Sequence, residues 1–339
     1  CNRIKFPMQN NPYSAFVIEE VTPGTYAGQI QQKNIAELPQ DDLLIRVHYS
    51  SLNYKDALSA SGNRGVTRRY PHVPGIDAAG VVEESSSSEF QPGDKVIACG
   101  FDIGMNTPGG FGQYMRIPTG WALHCPQNLT LRESMIYGTA GFTAAQSVER
   151  LVDFPIVPQK GRILVTGATG GVGSIAIGLL ANMGYRVTAV SGKPDAEKFL
   201  TRLGAEEIIS RQEAIDSSGK LLLKEKWAAV VDTVGGEILV SAIKSTCYGG
   251  AVTCCGNVAS ADLSLSVYPF ILRGVSLLGI DSAKCPMHIR ERIWQKLAGK
   301  WRLVNLAPLA KECKLPELPG YIEHMLQGRQ TGRVIVNLL

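Results

Sequence analysis

The stretch from Gly161 to Lys193, GRILVTGATGGVGSIAIGLLANMGYRVTAVSGK, decides the fold. An apolar, β-branched run from Ile163 to Thr166 enters a turn that holds Gly167, Gly170, Gly171 and Gly173, after which apolar Ile175, Leu179 and Met183 recur at helical spacing. That order reads as strand, tight turn and helix. Gly184 stands where a helix end wants a residue with positive φ, and Tyr185 to Val190 reads as a second buried strand. The unit is a βαβ of about 30 residues, the size of a dinucleotide-binding half.

Glycines suit such a turn because backbone N–H groups must approach a pyrophosphate with no Cβ in the way, and the helix N-terminus supplies the remaining attraction. The pattern fits either Gly167-x-x-Gly170-x-x-Gly173 or Gly171-x-Gly173-x-x-Ala176. A glycine cluster alone is more often a plain turn; between two strands and a helix it predicts cofactor binding at Gly170, Gly171 and Gly173. An NAD site places an acidic residue about 20 positions on, against the ribose hydroxyl. Here Val190-Ser191-Gly192-Lys193 offers a hydroxyl and a cation, with no carboxylate before Asp195. That combination favours a 2′-phosphate, hence NADPH over NADH, whereas the plainer reading of Lys193 is a solvated surface lysine.

At 339 residues the chain exceeds what one core usually holds, which predicts two domains. Hydrophobic residues at 45% and charged residues at 19% describe ordinary globular composition, and a net charge of +4 argues for neither nucleic acid nor a membrane surface as a partner. No apolar run approaches the roughly 20 residues that span a bilayer and no signal peptide is visible, so a cytoplasmic protein is expected. The chain begins at Cys1 rather than methionine, which implies a processed or replaced N-terminus. Its eight cysteines form no C-x-x-C, and its five histidines are scattered, so no metal site is expected.

From Tyr13 to about Ile136, short apolar runs (Phe16 to Val21, Leu43 to Tyr49, Ala78 to Val82, Lys95 to Ala98, Gly112 to Ile117) are separated by Pro, Gly and Asp clusters, the signature of an all-β barrel or open sandwich. From Gly138 the pattern changes to helices alternating with strands at Ile208-Ile209, Trp227 to Val234, Gly250 to Gly256 and Val275 to Ile280, which implies a parallel sheet with helices on both faces. The tail from Pro316 gives a helix and then a strand at Val334 to Leu338 that suits a return to the first domain.

This organisation resembles the medium-chain dehydrogenase/reductase superfamily over essentially the whole chain. Leu52-Asn53-Tyr54-Lys55-Asp56-Ala57-Leu58, Pro74-Gly75-Ile76-Asp77-Ala78-Ala79-Gly80, the Val165 to Gly173 turn and Phe270-Ile271-Leu272-Arg273-Gly274-Val275 are similar to its acrylyl-CoA reductase branch of the YhdH/YhfP type, which also carries quinone oxidoreductase names. The resemblance implies an α/β protein: a GroES-like β-rich catalytic domain (1–137 and 300–339) and a Rossmann domain with a doubly wound parallel sheet that binds NADPH (138–299). Zinc members carry Pro-Gly-His-Glu where this chain reads Pro-Gly-Ile-Asp, their cysteine ligand falls near Asn53, and the four-cysteine lobe expected after Gly100 is missing. Isoleucine cannot bind zinc. Without a Lewis acid, the implied chemistry is hydride addition to an already activated double bond.

The resemblance places Tyr54 nearest the reacting atoms, as donor to a developing enolate or as a ring packed beneath the nicotinamide, with Asn53 and Asp56 orienting the segment. It further implies cofactor contacts from Thr169, Gly170, Gly171 and Val172 at the pyrophosphate turn, from Ser191, Gly192, Lys193 and Arg211 at the adenosine end and from Cys255, Ile271 and Ser282 on the nicotinamide side. Arg64, Arg68 and Arg69 form a basic loop that either meets CoA phosphates or is solvated. Three functions follow as expectations: an NADPH-dependent reductase taking acryloyl-CoA to propionyl-CoA, an NADPH:quinone oxidoreductase, or a non-catalytic NADPH-binding protein. The partner is a small-molecule substrate, an acyl-CoA thioester or a quinone, and a homodimer joined at the Val275 to Ile280 strand is expected.

Overall fold

Pro23 and Gly24 turn the first strand, β1 (Pro12–Thr22), back onto β2 (Thr25–Asn34) as an antiparallel hairpin. The computed structural model describes residues 11–339, and Cys1 lies outside the described residues. β1 buries Phe16, Val17 and Ile18, whereas β2 is polar and largely exposed, which hid it from the hydrophobic pattern. The chain continues through β3 (Leu43–Leu52), α1 (Tyr54–Ala60), β4 (Asp77–Ser85), β5 (Lys95–Cys99), β6 (Tyr114–Ile117) and β7 (Ala122–His124). α2 (Leu131–Asp153) is broken at Gly138, whose φ of 50° and ψ of −156° no helix accommodates.

A second unit, Ala140–Ser282 with Gly299–Val304, follows. It contains β8 (Arg162–Val165), α3 (Gly171–Asn182), β9 (Val187–Val190), α4 (Glu197–Arg202), β10 (Ala205–Ile209), α5 (Arg211–Ala214), β11 (Trp227–Asp232), α6 (Gly236–Lys244), β12 (Thr246–Cys254), α7 (Tyr268–Arg273) and β13 (Ser276–Gly279). Its six strands form one parallel sheet in the order β10-β9-β8-β11-β12-β13, the doubly wound arrangement that alternating strands and helices predict. Leu164, Val230, Ile243 and Val252 fill its core. α3 is apolar on every side and buries Gly173 to Leu180, as a helix packed within the domain must.

The first unit gathers residues 11–139 with Ala283–Ala298 and Asn305–Leu339. The late segments supply α8 (Met287–Ala298), β14 (Ala310–Lys314), α9 (Leu318–Leu326) and β15 (Arg333–Asn337). The sheet runs β14-β15-β3-β4-β5-β7 with β6 also paired to β3; β14 and β15 are parallel and the other pairs antiparallel. Leu43, Ile45, Ile103, Phe111 and Met115 are among its fully buried side chains.

Residues 283–298 group with the first unit. Arg290 on α8 is one of the ties that hold them there. Its buried guanidinium donates to the carbonyls of Cys99 (2.8 Å), Ala283 (2.7 Å) and Cys285 (3.0 Å) and lies 4.4 Å from the Phe101 ring centroid. Phe101 in turn stacks on Trp121 and donates its N–H to the Ala283 carbonyl. One charge thus clamps α8 to the end of β5, and nothing in a linear hydrophobic pattern signals it. Arg290→Met, which keeps the volume and removes the donors, is expected to lower stability by about 3 kcal/mol in urea denaturation. An unchanged midpoint would contradict the clamp.

Candidate functional site

In the second unit the turn after β8 is built by close approach. A Cβ on Gly173 would lie 2.5 Å from the Gly167 carbonyl oxygen, so only glycine lets α3 start so near the strand end. Gly170 donates to the Gly167 carbonyl and stands at the N-cap of α3, where no side chain makes a capping hydrogen bond. Thr169 is nearly buried, and Gly171 and Val172 are half-exposed at the opening of the helix. The arrangement presents N–H groups and the positive end of a helix dipole, which suits a pyrophosphate.

At the end of β9, Ser191 donates its backbone N–H to the Ile209 carbonyl, and its Oγ accepts from the Lys193 N–H at 3.1 Å. Arg211, at the start of α5, packs directly over Gly192. Burial and the Arg211 charge both push the Lys193 ammonium below its usual range. Two cations brought together beside Ser191 make a seat for a doubly charged anion. Cys255 follows β12; burial and the Asp232 carboxylate push its thiol up to about 12, so it is a neutral thiol donating to the Asp232 carbonyl at 3.3 Å. Ile271 stands exposed on α7, and Ser282 lies at the end of the segment after β13.

In the first unit Tyr54 opens α1 and keeps 37% of its surface exposed, while its neighbours are locked beneath it. Asp56 is wholly buried: one carboxylate oxygen accepts from the Gly75 and Ile76 N–H groups, the other from the Asn53 N–H at 2.8 Å. The Asn53 amide donates to Asp77 (2.8 Å) and Asp56 (3.3 Å), and its oxygen accepts from Arg333 (3.2 Å). Asp77 also accepts from Ser51 Oγ and from the N–H and hydroxyl of Thr139. Arg333 donates to Ser51 Oγ and to the Ile136 and Leu52 carbonyls, and lies 3.8 Å from Asp77. Gly138 completes the frame, since a Cβ there would fall 2.5 Å from Asp77 and 2.8 Å from Arg333.

The structure therefore brings Asn53, Tyr54 and Asp56 together and adds Asp77, which the sequence reading named only within the Pro-Gly-Ile-Asp segment, and Ser51, Thr139 and Arg333, which it did not single out. Charged residues inside otherwise apolar strands, as in Asp77-Ala78-Ala79 and Arg333-Val334-Ile335, were the available signal. The basic loop resolves differently. Arg64 pairs with Glu20 at 2.6 Å, donates to the Arg68 carbonyl and sits over the Tyr26 and Tyr70 rings, so it holds its own loop in place. Arg68 and Arg69 are exposed. Among the described residues no group of three or more His, Cys, Asp or Glu side chains is placed to hold a metal ion, and no helix is long and apolar enough to cross a membrane. Ile76 and Asn53, where zinc enzymes keep ligands, do not fit zinc.

Two family profiles match: Alcohol dehydrogenase GroES-like domain over residues 39–127 and Zinc-binding dehydrogenase over residues 171–298. The acrylyl-CoA reductase AcuI of Ruegeria pomeroyi is 40% identical, over 96% of this chain and 99% of its own. The Bacillus subtilis protein YhfP, which carries a provisional quinone oxidoreductase name, is 46% identical over 89% of this chain and 92% of its own. Its structure, solved with NAD bound, superposes with a TM-score of 0.93 at 43% identity over 97% of this chain and 100% of that one. YhdH of Escherichia coli K-12, solved with NADPH bound, gives a TM-score of 0.93 at 39% identity over 96% of this chain and 100% of that one.

Burial, reinforced by the Asp77 charge, pushes the Asp56 carboxyl up to about 7 despite its N–H donors. The folded protein then holds a proton that the unfolded chain releases near pH 4. Stability from this group is fully present below about pH 4 and is lost as pH rises to about 7. Asp56→Asn removes the titration, so the stability difference between the native protein and D56N is expected to narrow between pH 4.5 and 7.5, by up to about 4 kcal/mol in denaturant melts. A difference that stays constant with pH would contradict this placement of the charge.

Proposed function

The chain belongs to the medium-chain dehydrogenase/reductase superfamily, in its zinc-free acrylyl-CoA reductase and quinone oxidoreductase-type branch, and from that premise we propose that it is an NADPH-dependent reductase of a double bond conjugated to a thioester, acting on acryloyl-CoA. The observation that carries the reading is a half-exposed phenol, Tyr54, on a segment whose Asn53 and Asp56 side chains are engaged in buried hydrogen bonds. With Ile76 and Asn53 unsuited to zinc, a hydrogen-bond donor must take the place of a Lewis acid.

NADPH, when bound, supplies the hydride that reaches the β-carbon of the alkene. The glycine turn Thr169 to Gly173 would hold its pyrophosphate, and Ser191, Gly192, Lys193 and Arg211 would hold the 2′-phosphate. Cys255, Ile271 and Ser282 would border the nicotinamide end. As the β-carbon gains hydride, the π electrons move onto the thioester oxygen, and the Tyr54 hydroxyl donates to that oxygen. The α-carbon then takes a proton and propionyl-CoA results. Asn53 and Asp56 act through Tyr54, as positioning residues. The kinship with AcuI supports the thioester, and the name carried by YhfP keeps a quinone as the competing substrate.

A homodimer fits the edge of the second unit. β13 ends the parallel sheet, and α7 just before it exposes Ile271 and Leu272. Light scattering on the purified protein is expected to give twice the 36.6 kDa chain mass, and a monomer would contradict the dimer.

The proposed reaction is tested by following NADPH oxidation with acryloyl-CoA and with benzoquinone in parallel, each repeated with NADH. Turnover of acryloyl-CoA with NADPH, falling by about 10²-fold in kcat for Tyr54→Phe, is expected. Turnover of benzoquinone alone would move the protein to the quinone reading. Unchanged kcat in Tyr54→Phe would remove the role given to its hydroxyl.

A further inference from the structure

The parallel sheet of the second unit changes direction between β8 and β11: β9 and β10 extend it on one side, β11, β12 and β13 on the other. The carboxyl ends of β8 and β11 therefore flank the crevice in which open α/β sheets hold their ligands. At the tip of β11, after the buried apolar run Trp227 to Val231, comes Asp232, wholly buried itself. A carboxylate in such a place is unfavourable unless its acceptors are filled, and burial holds its pKa above the usual range.

The acceptors are filled by the two turns on either side. One Asp232 oxygen accepts from the Thr166 hydroxyl at 2.7 Å, and Thr166 is the first residue after β8, leading straight into the glycine turn. The other accepts from the Gly235 N–H at 2.9 Å, in the Gly235-Gly236 turn that starts α6. Thr166 Oγ1 accepts in turn from the Thr233 N–H at 3.0 Å, which commits the single Thr166 proton to Asp232. The Thr233 hydroxyl closes the loop by donating to the Thr166 carbonyl at 3.0 Å. Three residues thus tie the turn after β8 to the turn after β11, across the strand boundary that opens the crevice.

We propose that Asp232 is a positioning residue for the dinucleotide seat: acting through Thr166, it fixes the glycine turn against the Gly235-Gly236 turn so that the pyrophosphate and nicotinamide part of the cofactor, but not its adenosine part, is held. The inference rests on the cofactor seat proposed above. An amide at position 232 disturbs this arrangement in either orientation: its NH₂ faces the Gly235 N–H, which cannot accept, or it faces Thr166 Oγ1, which must then accept and leaves its own proton without the Asp232 acceptor. The adenosine end, at Ser191, Lys193 and Arg211, lies beyond β9 and shares none of these bonds.

Binding titrations with NADPH and with adenosine 2′-monophosphate, which carries the adenosine end and no part of the pyrophosphate, separate positioning from general support. Asp232→Asn and the near-isosteric Thr166→Val are each expected to weaken NADPH about tenfold and to leave adenosine 2′-monophosphate within about twofold. The double variant is expected to lose no more than about either single one, because both break the same link. NADPH affinity unchanged in both variants, or an equal loss of both ligands, would overturn the proposal. Lys193→Gln tests the seat separately: it weakens adenosine 2′-monophosphate if the adenosine end lies there, and an unchanged affinity would count against the seat and with it the role of Asp232.

Discussion

Arg333 carries a charge that is 3% exposed, and the first unit is arranged so that this charge is never alone. It comes from β15, the last strand, and meets Leu52, Asn53 and Ser51 from the end of β3, the Ile136 carbonyl from α2, and Asp77 from β4. Burial depresses its pKa, and the Asp77 and Asp56 charges hold it up. A buried cation is tolerable only with such partners, and removing one member leaves the others without compensation. The C-terminal strand therefore cannot leave the sheet without stripping the segment that carries Tyr54. The same constraint explains Gly138: the helix breaks there because the carboxylate and guanidinium occupy the space a side chain would need.

The second unit uses a different economy. Its chemistry-bearing features are mostly local: a turn closed by backbone groups, and a short segment, Ser191 to Lys193, that follows a strand. Strand order then places these local features at one end of the sheet, next to Asp232 and Thr166. The division of labour is physical. Phosphates are recognised by fixed N–H groups and cations, which a turn supplies by itself, whereas orienting a phenol needs a rigid platform drawn from distant parts of the chain.

That contrast accounts for what the sequence made legible. The βαβ unit, the parallel sheet and the glycine turn follow from spacing within about 30 residues, whereas the order of the strands is seen only in the structure. The frame beneath Tyr54 joins residues about 280 positions apart, so no window of sequence contains it. β2 and β14 escaped because their residues are polar and their pairing comes from neighbours, not from alternation. α8 escaped as a domain marker because Arg290 acts on the carbonyls of Cys99, Ala283 and Cys285, groups that every residue possesses. Arg64 belongs to a basic loop that the sequence left open between CoA phosphates and solvent, and the structure engages it with Glu20 and two tyrosine rings.

The central claim is that the protein directs a hydride to the carbon β to a thioester carbonyl and leaves the α-carbon to a proton. The most direct measurement uses NADPH deuterated at the transferred C4 position with acryloyl-CoA in ordinary water, followed by mass and NMR analysis of the product. The account predicts propionyl-CoA carrying one deuterium, at the β-carbon, with the α-position bearing only solvent hydrogen. Propionyl-CoA without deuterium, deuterium at the α-carbon, or no propionyl-CoA at all would contradict it.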